Sequence, residues 1–240
     1  MPEKIKPELT DEGVGARARR SIPFDGEHLD PFVIFDEYYV TPDAHFPNHP
    51  HGGFEGFQFL MEGATEYQDN SGNKGLIKKG EMRRFVAGKG FMHSEYPRGG
   101  ETVRGYLVWI KLPGDRSDTP IIFREVHGED VMRDENPVRT VTTIFGEGAP
   151  LETLTPAVFK HYVYKKQGMD TFELATGWNG FVYVSSGSVK LGDIMLGSGE
   201  GAVVEPGSVL ELEIGAGTEL VKLKGRMLNE RIVQEGHFVR

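Results

Sequence analysis

Apolar residues in this chain fall in short runs that glycines interrupt. Phe57, Phe59 and Met61 alternate with Gln58 and Leu60, and the run stops at Gly63. Side chains that repeat every second residue share one face of a β-strand. Val103 to Leu112 forms a second strongly apolar strand candidate, carrying Tyr106, Val108, Trp109 and Ile110. Further on, Phe181–Val184, Val189–Leu191, Val203-Val204 and Val209–Ile214 are brief apolar runs with glycines between them. Helical periodicity is weak throughout. A short helix or turn is expected only around Val126–Met132, where acidic residues mix with few apolar ones. Many short strands joined by tight turns predict an all-β chain.

The two halves repeat one another. Gly56-Phe57-Gln58-Phe59-Leu60-Met61-Glu62-Gly63 reads like Gly180-Phe181-Val182-Tyr183-Val184-Ser185-Ser186-Gly187. Downstream, Gly80-Glu81 with Gly88 matches Gly199-Glu200 with Gly207 at the same spacing. Two matched blocks in the same order indicate a duplicated β module. The polar stretch Asp134–Pro137 is the expected boundary, giving modules over residues 1–135 and 136–240.

Composition narrows the function. A net charge of -9 argues against broad nucleic-acid binding, which needs a basic surface. Arg17, Arg19 and Arg20 form a compact basic run, expected at a solvated strand edge. The absence of cysteine removes disulfides, thiolate nucleophiles and Cys-based metal sites, so any metal must be held by His, Asp or Glu. Met1–Thr10 has no apolar core of a secretory signal, and no run is long enough to span a membrane as a helix. The expectation is a soluble cytoplasmic protein.

Chemistry concentrates at His49-Pro50-His51 and at His93 with Glu95. Each pair is spaced i, i+2, so on a strand each aims both groups at one face. Three imidazoles and a carboxylate suit a divalent transition metal and leave positions open for substrate or water. A lone His-Pro-His triplet reads more simply as a capped Pro-rich loop, and it is the second pair that shifts the balance. Counted from the repeat glycines, His49 and His51 correspond to Glu173 and Ala175, and His93 and Glu95 to Leu212 and Ile214. Only the first module should hold a metal in this way.

The pattern H-x-H-x3-E, a glycine-bounded strand and then G-x2-H is that of the cupin barrels; here it is His49-Pro50-His51, Glu55, Gly63 and Gly90-Phe91-Met92-His93. Leu29-Asp30-Pro31-Phe32, Phe35-Asp36-Glu37, Phe46–His51 and Gly88–Glu95 resemble the pirin family of bicupins, as do Leu228-Asn229-Glu230, Val233-Gln234, Gly236 and Phe238-Val239. The resemblance implies two tandem cupin-type, jelly-roll-like β-barrels. It also implies His49, His51, His93 and Glu95 as metal ligands, with Glu55 outside the ligand set as a partly buried, hydrogen-bonded glutamate. Gly52 stands where many pirins carry Arg, and Gly88 where general cupins have Pro.

Other residues carry plainer expectations. His28, His127, His161 and His237 have no ligand-spaced partner and are assigned surface or hydrogen-bonded roles. His45 is assigned to a loop, with the rim of a pocket as the alternative. Phe57, Phe59, Tyr106 and Trp109 are chiefly core, and Gly88-Lys89-Gly90 lacks the Walker context of a phosphate loop.

Fe(II) is the first choice of metal by resemblance, with Mn, Co, Ni, Cu and Zn left open by the donor set. The resemblance further implies a quercetin 2,3-dioxygenase activity, in which O2 opens a flavonol ring and carbon monoxide is released. Glu95 would then serve as both ligand and proton acceptor. The alternative is a metal-dependent co-regulator working through a protein partner. A monomer is expected.

Overall fold

The computed structural model describes residues 2–23 and 26–240. It divides into two compact units, one comprising Glu8–Val131 with Leu228–Arg240 and the other Met1–Pro7 with Met132–Met227. Each unit therefore takes in a segment from the far end of the chain. In the later unit the strand Glu3–Ile5 pairs with Glu200–Val204. A single cut near residue 135 describes neither unit completely.

The unit carrying the histidines is built from two antiparallel sheets. The larger has the order Ile122–Val126, Met82–Val86, Phe54–Glu62, Val103–Lys111, Phe32–Val40, Ala16–Ile22 and Leu9–Asp11. The smaller has the order Phe46–His51, Phe91–Arg98, Ala64–Asp69 and Lys74–Lys78. The other unit repeats this plan. Its small sheet runs Gly168–Glu173, Val209–Ile214, Ser188–Leu191 and Ile194–Gly197, with the same connectivity. The short element expected near Val126–Met132 is a 3-10 turn at Gly128–Asp130.

The strand Phe54–Glu62 is buried on both faces except at its last residue. Its alternation of aromatic and smaller residues thus sorts side chains between two packed faces, rather than between core and water. Phe54, Phe57, Phe59, Phe85, Tyr106 and Trp109 are all buried. Each such aromatic contributes about 1.5–3 kcal/mol of burial. At Gly88 an added Cβ would lie 2.4 Å from the Thr119 carbonyl oxygen, so a close backbone approach accounts for glycine there.

Register refines the internal duplication. His93 pairs opposite His49, and Phe91 opposite His51. In the later unit Leu212 pairs opposite Asp170, and Leu210 opposite Phe172. With Leu212 at the place of His93, the counterparts of His49 and His51 are Asp170 and Phe172. Counting back from the glycine gives Glu173 and Ala175 instead, because the connection from Leu174 to Gly177 lies within the counted stretch. Either way the later unit lacks the histidines.

Polar groups inside the first unit come in pairs. Arg84 donates through Nε and Nη2 to Glu55 Oε2 at 3.0 and 2.7 Å, and Glu55 is fully buried. Arg20 forks onto Asp36 at 3.0 and 2.7 Å. Its strand Ala16–Ile22 is covered by Leu9–Asp11, so the basic run is not at the sheet edge, and the partly exposed Arg20 serves as counter-ion to buried Asp36. Removing one member of a buried pair leaves the other charge uncompensated, at a cost of about 3–5 kcal/mol. Glu55→Ala should therefore lower the unfolding free energy measured in urea by an amount in that range. A loss below about 1 kcal/mol would show that Arg84 does not depend on Glu55.

Candidate metal centre

Strand pairing assembles the site. His49 and His51 lie on Phe46–His51, and His93 and Glu95 on its antiparallel neighbour Phe91–Arg98. A register shift between His93 and Glu95 sets Glu95 opposite Phe46. The three imidazole centroids are 4.5, 4.7 and 4.8 Å apart. His93 Nε2 is 3.0 Å from His51 Nε2 and 3.0 Å from His49 Nε2. Bonds of about 2.1 Å to one ion put adjacent donors about 3 Å apart, so the spacing is that of ligands around a shared cation.

Protonation agrees with that spacing. His49 Nδ1 is 2.7 Å from the Pro47 carbonyl oxygen, which only accepts, so Nδ1 carries the proton and Nε2 offers a lone pair. His93 Nε2, with one hydrogen at most in the neutral ring, cannot satisfy both neighbours. His51 Nδ1 and His93 Nδ1 are buried without a hydrogen-bond partner. Those two rings are fixed by packing instead, His51 against Phe54, Phe91 and Trp109 and His93 against Phe85 and Phe91. Burial, reinforced by neighbouring imidazoles and Arg83, pushes His51 down to about 2. Burial and then Arg83 push His93 down as well, and burial lowers His49 against the opposing Pro47 bond. All three are neutral at physiological pH, the form that binds metals.

Glu95 pairs with Arg83, whose side chain is 1% exposed. The guanidinium lies 4.3 Å from the centre of the Tyr67 ring, and its Nε and Nη1 have no hydrogen-bond partner. Burial lowers Arg83 to about 10, which still leaves it charged at neutral pH. Arg83 thus places a permanent cation against one carboxylate oxygen and leaves the other available as a donor. Among the described residues two donor groupings are close enough to hold an ion, His49 with His93 and Glu95, and His49 with His51 and His237, each within 4.8 Å. The donor set fits a divalent transition metal.

His237 is exposed, as a surface assignment expects, but it lies beside the cluster. Its ring lies 5.3 Å from His49 and 5.1 Å from His51, and it lines the same cavity. No local spacing could reveal this, because His237 reaches the site only through backbone pairing of its segment beside Gly52. The buried Arg83 was equally unanticipated; its one signal is an arginine inside the otherwise strand-like Met82–Val86. The remaining histidines behave as expected. His28 Nδ1 meets the Val33 carbonyl at 3.0 Å, His161 meets Glu219 at 2.8 Å, and exposed His127 sits between Glu81 and Glu125. His45 is a loop residue stacked on Tyr96 at 5.5 Å and does not line the cavity. Glu55 faces Arg84 rather than the imidazoles.

The cavity encloses about 740 Å³ including its open mouth. Ala18, Ile34, Phe46, Leu107 and Trp109 give it apolar walls, while Gln58, Arg83 and Asp36 add polar groups. Gln58 Nε2 donates to the Tyr38 hydroxyl at 2.5 Å, and Gln58 Oε1 is buried without a partner.

Comparison with known proteins is consistent along the chain. The family model described as Pirin matches residues 15–110, and that described as Pirin C-terminal cupin domain matches residues 163–240. A pirin-like protein from Solanum lycopersicum is 32% identical over 99% of this chain and 85% of its own length. A crystal structure titled quercetin 2,3-dioxygenase from Acinetobacter baumannii superposes with a TM-score of 0.86 at 25% identity, covering 100% of this chain and 92% of that one. The structure of a bacterial pirin from Escherichia coli in complex with nickel(II) shares the fold, with a TM-score of 0.78 at 17% identity over 95% of this chain and 99% of that one. Among the described residues no helix is long and apolar enough to cross a membrane.

The lowered histidines predict how metal-free protein responds to acid. Below the ordinary histidine value of about 6.5 the unfolded chain takes up protons that folded His51 and His93 refuse. Stability is complete above that pH and falls as pH drops, by up to roughly 1.4 kcal/mol per unit for each histidine. Urea midpoints of metal-free protein should fall between pH 6.5 and 5, and the fall should be shallower when His51 and His93 are both replaced by Gln. Midpoints independent of pH across that window would contradict the buried neutral cluster.

Proposed function

The chain belongs to the pirin family of two-barrel cupins, and on that premise we propose that it is a metal-dependent dioxygenase that opens flavonols such as quercetin with O2 and releases carbon monoxide. His49, His51, His93 and Glu95 would hold one divalent ion, with Fe(II) the first choice. The observation that carries this reading is His93 Nε2 lying 3.0 Å from both His49 Nε2 and His51 Nε2 in a cavity open at one side. Bound there, the ion would supply a site where the flavonol and dioxygen meet and react.

The protein's own groups give the rest of the mechanism. A flat phenolic ligand fits between apolar walls formed by Ala18, Ile34, Leu107 and Trp109. Glu95, on loosening from the ion, would accept the proton of a substrate hydroxyl on the oxygen that Arg83 leaves uncovered. Arg83, paired with Glu95 and shielded from water, favours negative charge at that wall whether it sits on the carboxylate or on the deprotonated substrate. The aromatic packing around His51 and His93 keeps bulk water from their outer edges. The A. baumannii relative, titled a quercetin 2,3-dioxygenase, supports the choice of substrate class.

Metal-loaded protein should consume O2 and bleach the long-wavelength absorbance of quercetin. His49→Ala should abolish the reaction, and Glu95→Ala should slow it by at least about 100-fold, the lower range for a positioned acid or base. Turnover no faster than that of the free metal in buffer would defeat the enzymatic reading while leaving the metal centre intact. A partner pull-down that changes when the metal is oxidised would then favour regulation.

A further inference from the structure

We propose that His237 is a further ligand of the same ion, so that metal binding fastens the segment Gln234–Arg240 onto the barrel. The proposal rests on the metal-centre reading above and adds to it a residue outside the two ligand-bearing strands. Its donor atom lies within 4.8 Å of those of His49 and His51. Donors on opposite sides of one ion are separated by about 4.2 Å, and adjacent ones by about 3 Å, so an inward turn of the solvent-exposed His237 ring would bring it to the distance of a shared ligand. His237 is solvent-exposed, and no protein group among the described residues hydrogen-bonds its ring, so metal ligation would displace only water.

The backbone explains why the imidazole is there. Gly52, immediately after His51, donates its N–H to the His237 carbonyl at 3.2 Å and accepts from the Val239 N–H at 2.9 Å. Val233 and Arg240 exchange two further backbone bonds of 2.8 Å, closing the segment into a small hairpin. The close approach requires glycines. A Cβ on Gly52 would lie 2.8 Å from the Phe238 ring, and one on Gly53, at φ 86°, would lie 1.8 Å from the Val239 carbonyl oxygen. Val239 is buried in the core among Val33, Phe54 and Trp109. Gly52-Gly53 is thus a seat for residues 237–239, and a side chain at Gly52 would occupy the space that Phe238 fills.

Two consequences follow. Five protein ligands would leave one position of an octahedral ion open, against two if His237 stays away. The ion and the docked segment would also stabilise one another, because each is bound more tightly when the other is in place.

The test uses cobalt(II) added to full-length metal-free protein, read by chelator competition and by hydrogen exchange of residues 234–240. The expected result is at least about tenfold weaker cobalt binding in His237→Ala and in His237→Gln. Cobalt should also slow exchange across the segment in the wild type and not in either variant. Glu235→Ala, on the same hairpin but outside the cavity, should behave as the wild type. Equal affinity in the wild type and both His237 variants, with equal protection of the segment, would overturn the proposal and leave the four-ligand centre standing. Failure of the wild type to bind cobalt or nickel would overturn both.

Discussion

The pairing of Phe46–His51 with Phe91–Arg98 is the constraint on which the rest depends. It sets His93 directly across from His49 and so brings the Nε2 atoms together at 3.0 Å. A slip of one residue would turn either pair to the opposite face of the sheet and disperse the donors. Burial then does the chemical work of keeping the rings neutral. Arg83 does the opposite for its own side of the cavity, holding a cation against Glu95 where water cannot screen it. The ring nitrogens that meet around His93 Nε2 cannot all satisfy one another by hydrogen bonding, and a cation between them would.

The later unit shows what the same scaffold does when the donors are replaced. Asp170, at the place of His49, is held by Lys222 at 2.7 Å, Arg139 at 2.8 Å and the Tyr164 hydroxyl at 2.9 Å. Phe172 and Leu212 fill the places of His51 and His93 and join the apolar cluster with Val189 and Leu191. One sheet order supports a convergent donor set in one unit and an internally neutralised carboxylate in the other. The fold fixes where side chains meet, and the residues decide whether the meeting point is a metal centre or a packed core.

Much of this was readable beforehand because strand geometry has a short period. Two residues apart means one face, so His49 with His51 and His93 with Glu95 could be paired without knowing the topology. The repeated glycine blocks likewise disclosed two modules. What could not be read depends on contacts between distant segments. His237 comes to the site through hydrogen bonds to Gly52, and the sequence between them carries no mark of it. The ion pairs of Arg83 and Arg20 carry no local mark, since nothing nearby in sequence tells a paired arginine from a solvated one. Gly52, noted for the cation it lacks, is explained by the residue packed against it. The offset in matching His49 to Glu173 came from a connection whose length the glycine count could not resolve.

The most direct test of the central claim is elemental analysis of untagged protein purified without chelators, beside His51→Ala prepared in the same way. One buried imidazole cluster predicts about one transition-metal ion per chain in the wild type and almost none in the variant. A wild-type protein that carries no transition metal and takes none up on incubation, or a variant that retains a full equivalent, would contradict the account.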